Sequence, residues 1–249
     1  MKPLALIGAI LVICAAGAVM LVTRAVAPAI TLHDARLIPT ADGHALVVTI
    51  ENPGPPDRLI EVSTSAEGQL MVAGALFSTG LPIPSGASPS LSTDGAHGML
   101  LALEGETREG RLVPVTLRFA NAGAVSTRAR ISGPSGMDHS AEYAVPANEP
   151  APSVGIAATA TGDGWRISIE AGNFSFSREA VDGPHQPGVG HAHLFVDGLK
   201  LGRIFGTEVA VGALPDGDHE FRVTLNTNDH RVYVVDGLPV TAAARATAD

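Results

Sequence analysis

After residue 27, apolar and polar positions alternate with a period of two in run after run, the pattern of strands that bury one face. Val113, Val115, Leu117 and Phe119 share one face of such a run, and Trp165, Ile167 and Ile169 share one face of another. Phe221-Arg-Val-Thr-Leu225 repeats the pattern, Ala45–Ile50 predicts a further strand, and Val125–Ile131 alternates more weakly with Arg128 and Arg130 outward. Pro114 predicts a strand edge or start, because proline cannot donate to a ladder. Asp197-Gly198 separates His191–Val196 from Leu199–Phe205 and predicts a two-residue hairpin loop; Asp236-Gly237 after Val232–Val235 predicts a second. Pro215-Asp-Gly-Asp218 reads as a turn. The one stretch compatible with a short helix after residue 27 is 62–71.

The pattern predicts an all-β chain of two β-sandwich domains after an N-terminal apolar helix. The first domain is expected at 29–134 and the second at 154–240. Between them, 135–153 reads as a linker, because its prolines oppose regular structure. Residues 3–22 carry no charge, with Lys2 before them and Thr23-Arg24 after. That length suits either a membrane anchor or a long signal peptide, with Ala25-Val26-Ala27 as the cleavage site. Both readings of 1–27 place the remaining chain in the periplasm, anchored to the inner membrane in the first case. Cys14 does not read as a lipidation site, because Ile13 is bulky where a small residue is wanted.

Composition narrows the function. The 249 residues hold 28 Gly and 18 Pro, and aromatics make up 4% against 45% hydrophobic residues in all, which suits many short strands with tight turns. A net charge of −9 without a basic stripe excludes a nucleic-acid partner. Cys14 is the only cysteine, so a metal site beyond it must use His, Met, Asp or Glu.

Two pairs of candidate ligands stand out. His97 and Met99 follow Leu81-Pro-Ile-Pro-Ser-Gly86 and a Ser/Thr/Gly run, and His191 and His193 lie in Gly-His-Ala-His-Leu-Phe-Val-Asp-Gly. On a strand, i and i+2 point to the same side. Imidazole beside thioether suits Cu(I), whereas paired imidazoles suit Cu(II) or zinc. His230, in Asn226-Thr-Asn-Asp-His230, is the third donor expected at the second site. His219 follows a turn and reads better as its cap. Met137 and His139 in the linker, His33 and His185 are weaker candidates.

The first domain carries Thr49-Ile-Glu-Asn-Pro-Gly54 followed by Asp57-Arg58-Leu59, then Leu81-Pro-Ile-Pro-Ser-Gly86, His97-Gly-Met-Leu-Leu-Ala-Leu103 and Gly110-Arg-Leu-Val-Pro-Val-Thr-Leu-Arg-Phe119. In this order and spacing the segments resemble the PCu(A)C copper-chaperone family over about residues 30–134. The resemblance implies a cupredoxin-like Greek-key sandwich, a periplasmic location, and Cu(I) held by His and Met. Met71 stands where the family has its first His ligand. The family's Met before the Ile-Pro segment has no counterpart, and the chain is shortened around Ala75–Ser78. The resemblance thus leaves Met71, His97 and Met99 as the Cu(I) set. Residues 191–240 resemble a His-rich β domain of exported bacterial metal-binding proteins, which implies Cu(I) or Cu(II) on His191, His193 and His230.

These readings converge on a non-enzymatic copper chaperone or carrier. Its partners would be the ion and a copper-acceptor protein, such as a cytochrome oxidase subunit or assembly factor at the dicopper centre. The alternatives are a structural or interaction β-sandwich with degenerate metal sites, and a cupin-like metalloenzyme. Against the enzyme, the acidic ligand a cupin needs after the His pair is absent. No Gly-x-Ser-x-Gly elbow or His-Glu-x-x-His helix occurs.

Overall fold

A computed structural model describes residues 29–73, 79–133 and 141–249. The described residues form strands and turns, with no α-helix among them. In the first half lie β1 (Thr31–Thr40), β2 (Gly43–Glu51), β3 (Asp57–Ser63), β4 (Gln69–Ala73), β5 (Leu81–Ile83), β6 (Ser90–Leu91), β7 (His97–Leu101), β8 (Leu112–Phe119) and β9 (Gly123–Ile131). The second half holds β10 (Glu142–Ala144), β11 (Ser153–Thr161), β12 (Gly164–Gly172), β13 (Ser175–Phe176), β14 (Val189–Val196) and β15 (Leu199–Ile204). It continues with β16 (Glu208–Gly212), β17 (Gly217–Thr227), β18 (Val232–Val235), β19 (Leu238–Pro239) and β20 (Thr241–Ala248). The expected N-terminal helix, Cys14, and Met137 and His139 fall outside the described residues. Among the described residues no helix is long and apolar enough to cross a membrane.

In the first half, the pairings run β4–β7–β2–β1–β9–β8–β3–β5, all antiparallel except β1 with β9. The alternation read from the sequence sets the faces: Val113, Val115, Leu117 and Phe119 are buried in one core with Leu46, Val48, Ile50 and Leu100. Pro114 lies within β8, where that strand pairs only with β9. In the second half, β15, β14, β17 and β20 form one sheet and β11, β12 and β16 another. Trp165, Ile167 and Ile169 of one meet Leu194, Val196, Phe221 and Val223 of the other in a second core. Both Asp-Gly hairpins form, with Val196 opposite Leu199 and Val235 opposite Leu238. All four loop residues take positive φ, the conformation that matches a two-residue turn to the strand twist.

Two local expectations are corrected. No helix occupies 62–71: β3 ends at Ser63, bends follow, and β4 begins at Gln69. Val62 is opposite Leu117 and Leu70 opposite Leu100, so long-range pairing decides this segment over its weak helical period. Within the linker, Glu142–Ala144 is a strand laid parallel to β18. Tyr143 holds it there, its ring edge-on to Tyr233 at 5.6 Å and its hydroxyl donating to Glu149 at 2.8 Å.

The two halves are joined by backbone. Lys200 of β15 pairs with Ser90 of β6, Ala96 N–H donates to Gly198 C=O at 2.8 Å, and Ser85 N–H donates to Ala213 C=O at 2.9 Å. The approach is close enough to require glycine: a Cβ at Gly212 would lie 2.0 Å from the Ser85 carbonyl oxygen, and one at Gly95 2.6 Å from that of Gly198. Leu199, from the second half, is fully buried in the core of the first, where it contributes roughly 2 kcal/mol by leaving water.

Candidate metal-binding sites

The first set of predicted donors converges. β7 alternates cleanly, with Gly98 and Leu100 buried and His97, Met99 and Leu101 half-exposed on the other face. Met71 of β4 is directly opposite Met99, and His97 is opposite Ala73. Directly opposed residues place their Cβ atoms about 5 Å apart on the same side of the sheet. Two thioethers and an imidazole therefore share one outward patch. Met71 is 47% exposed, so its thioether is open to solvent. The Thr40 hydroxyl lies 3.9 Å from the Met99 sulfur. His97 Nδ1 lies 3.0 Å from the Gly95 carbonyl oxygen. A carbonyl only accepts, so Nδ1 carries the proton and Nε2 keeps its lone pair for a ligand. Gly98 permits the packing beneath: a Cβ there would lie 2.9 Å from Leu46 Cβ.

The second set is deeply buried. His191, His193 and Phe195 are on the face of β14 opposite its core residues Ala192, Leu194 and Val196. That face is nevertheless covered. Asp94, from the loop before β7, reaches across and places Oδ2 2.7 Å from His193 Nδ1 and 2.6 Å from Lys200 Nζ. Burial alone would raise the Asp94 pKa, but the bonds and charges of His193 and Lys200 outweigh it and hold the carboxyl well below its usual range. Burial lowers Lys200, partly offset by Asp94. His191 Nε2 is 3.1 Å from His193 Nε2. Burial, then the neighbouring His193 and His230, push the His191 pKa down to about 2, so this ring is neutral at physiological pH.

His230 stands edge-on to His191, ring centres 5.0 Å apart, with its Nε2 on the Asp182 carboxylate at 2.5 Å. The three predicted histidines thus gather in one buried cluster. Among the described residues, no three His, Cys, Asp or Glu side chains already form a group that could hold a metal ion.

His219 is placed elsewhere. Its Nδ1 meets Asp197 Oδ2 at 2.7 Å and its Nε2 meets the Pro215 carbonyl oxygen at 2.7 Å. Both partners accept, so both ring nitrogens donate. Burial would lower this pKa, but the Asp197 and Pro215 bonds outweigh it and raise it. His219 is a structural cation that ties the Asp197-Gly198 turn to the start of β17. His33 bonds Glu51 at 3.0 Å on the surface, and His185 packs against Tyr143 in a tilted contact with ring centres 4.0 Å apart.

Sequence reasoning missed Asp94, Asp182, Lys200 and Asn226. Asp94 reads as a turn residue in Thr93-Asp94-Gly95, and nothing local links it to a histidine a hundred positions away.

Residues 22–131 match the family model "Putative lipoprotein LpqE-like". That match falls on the first domain and spans less than half of the chain. The PCu(A)C resemblance carried by its sequence motifs holds for this domain. Among solved structures, the copper-bound PCuAC domain from PmoF2 is 21% identical with a TM-score of 0.38, covering 43% of this chain and 96% of that one. The apo PCuAC domain from PmoF1 is 23% identical with a TM-score of 0.38, covering 43% and 97%. No curated protein matches the sequence. The matched residues include Met71, His97 and Met99, whereas the buried histidines lie beyond them.

Proposed function

We propose that this protein is a non-enzymatic copper carrier acting outside the cytoplasm, which takes Cu(I) on Met71, His97 and Met99 of its first domain. One observation carries the reading: Met71 is directly opposite Met99 across the β4–β7 pair, on the outward side that also bears His97. Two thioethers and a neutral imidazole are soft donors, so they favour Cu(I) over harder ions. Their exposure suits transfer, because an acceptor must reach the ion while the carrier still holds it.

The acceptor would be an exported copper protein, of which the dicopper centre of cytochrome oxidase is the leading candidate by family resemblance. The uncharged stretch 3–22 supports delivery at the periplasmic face of the inner membrane, whether it is a cleaved signal or an anchor.

Titration of the purified chain with Cu(I) against a chromophoric chelator tests the reading. One tightly held equivalent, with sulfur and nitrogen in its X-ray absorption shell, is expected. Unchanged affinity in His97→Ala and Met99→Leu would overturn the assignment.

A further inference from the structure

The polar groups packed around the buried histidine pair leave specific atoms without partners. His191 Nδ1 and Asn226 Oδ1 are both buried and find no hydrogen-bond partner among the described residues. They belong to directly opposed residues of β14 and β17, so both side chains are on the same side of the sheet. Buried polar atoms are nearly always satisfied, so the orphaned acceptor Asn226 Oδ1 beside the histidine pair is a donor atom available to an occupant.

The imidazoles show what kind. His191 Nε2 and His193 Nε2 are 3.1 Å apart. Ligand nitrogens at about 2.0 Å from one ion stand about 2.8 Å apart in a square plane and about 3.3 Å apart in a tetrahedron. The observed spacing falls between these. His193 is also set up as a ligand from behind, its Nδ1 on Asp94 at 2.7 Å. His230 has the same arrangement, its Nε2 on Asp182. Carboxylates behind imidazoles fix the tautomer and orient the ring toward an ion.

We infer that His191 and His193, completed by Asn226 Oδ1 or by the His230 ring, form a second metal site for a divalent ion of borderline softness, Cu(II) or Zn(II), in the second domain. The ion replaces the proton held between the two Nε2 atoms, so His191 and His193 ligate as neutral rings. The third donor is needed because, among the described residues, no trio of His, Cys, Asp or Glu is assembled. Charge is compatible with a dication: Lys200 and Arg203 face the cluster, but Asp94 pairs with the first at 2.6 Å and Asp182 with the second at 3.6 Å. Asp182, with 60% of its side chain exposed, marks the entry side, because it joins solvent to His230. This site does not depend on the Cu(I) reading of the first domain.

The test uses the full chain carrying Met71→Leu, His97→Ala and Met99→Leu, which removes the donors of the first patch. Calorimetric titrations with Zn(II) and, separately, with Cu(II) decide which ion is held. One equivalent is expected, with a nitrogen and oxygen shell lacking sulfur in X-ray absorption, and a rise in melting temperature on binding. His191→Gln should abolish that equivalent, and Asp94→Asn should weaken it about tenfold or more. If His191→Gln fails to fold, the sulfur-free shell and the melting shift of the parent chain still decide. No bound equivalent, a sulfur-containing shell, or undiminished binding in folded His191→Gln overturns the inference. A buried water between His191 and Asn226, with no ion taken up, does the same.

Discussion

Asp94 and His193 belong to different halves of the molecule, yet the Asp94 carboxylate lies 2.7 Å from His193 Nδ1 with both side chains almost wholly buried. The same carboxylate oxygen holds Lys200 at 2.6 Å. Three residues further along, the loop that carries Asp94 delivers His97 to the outward patch. One turn thus supports the exposed donors on one side and the buried histidines on the other.

Asp94→Ala should be among the most damaging single changes. It strands the Lys200 ammonium in a buried position, and losing one partner of a buried pair costs about 3–5 kcal/mol. Urea denaturation should show that loss, with both halves melting earlier. A loss below about 1 kcal/mol would mean that Lys200 finds water or another anion.

The junction between the halves makes a steric prediction. Gly212→Ala puts a methyl 2.0 Å from the Ser85 carbonyl oxygen, and overpacking against backbone costs roughly 1–3 kcal/mol. Gly155→Ala meets nothing within 4 Å and should be neutral. Equal melting temperatures for the two variants would show that the strands separate freely.

Met71→Leu separates binding from folding. The residue is 47% exposed on an outer face, so the change should alter stability by less than about 0.5 kcal/mol. Cu(I) affinity should nonetheless fall, because leucine has no donor atom. A Cu(I) competition titration on the folded variant reads this directly, and unchanged affinity would remove Met71 from the set.

The His219–Asp197 pair gives a pH dependence of known sign. The folded pKa of His219 is raised above 6.5, so the native state binds its proton more tightly than the unfolded chain does. That stabilisation is fully present below the unfolded pKa and is lost as pH rises through the folded value. The melting-temperature gap between the parent and His219→Gln should be widest near pH 5–6 and narrow toward alkaline pH. A gap that widens with rising pH would reverse the assigned charge state.

Much of the architecture is determined by the sequence alone. Period-two alternation assigned Val113–Phe119 and Trp165–Ile169 to the cores they occupy, because a strand's two faces are written locally in every second residue. The Asp197-Gly198 and Asp236-Gly237 loops were legible for the same reason, since positive φ at two adjacent positions selects these residue types. The i, i+2 spacing of His97 with Met99, and of His191 with His193, was likewise a local fact. Tertiary structure decided what local patterns do not encode. The register that sets Met71 opposite Met99 depends on β4 meeting β7 from further along the chain, and pairing with β8 and β7 made strands of the two ends of 62–71 in place of a helix. That His193 leans on Asp94, while His219 is consumed by Asp197 and Pro215, follows from which loops close over each ring. A histidine's chemistry is set by the partners of its two nitrogens, and those partners come from distant chain segments that only folding brings within a bond's length.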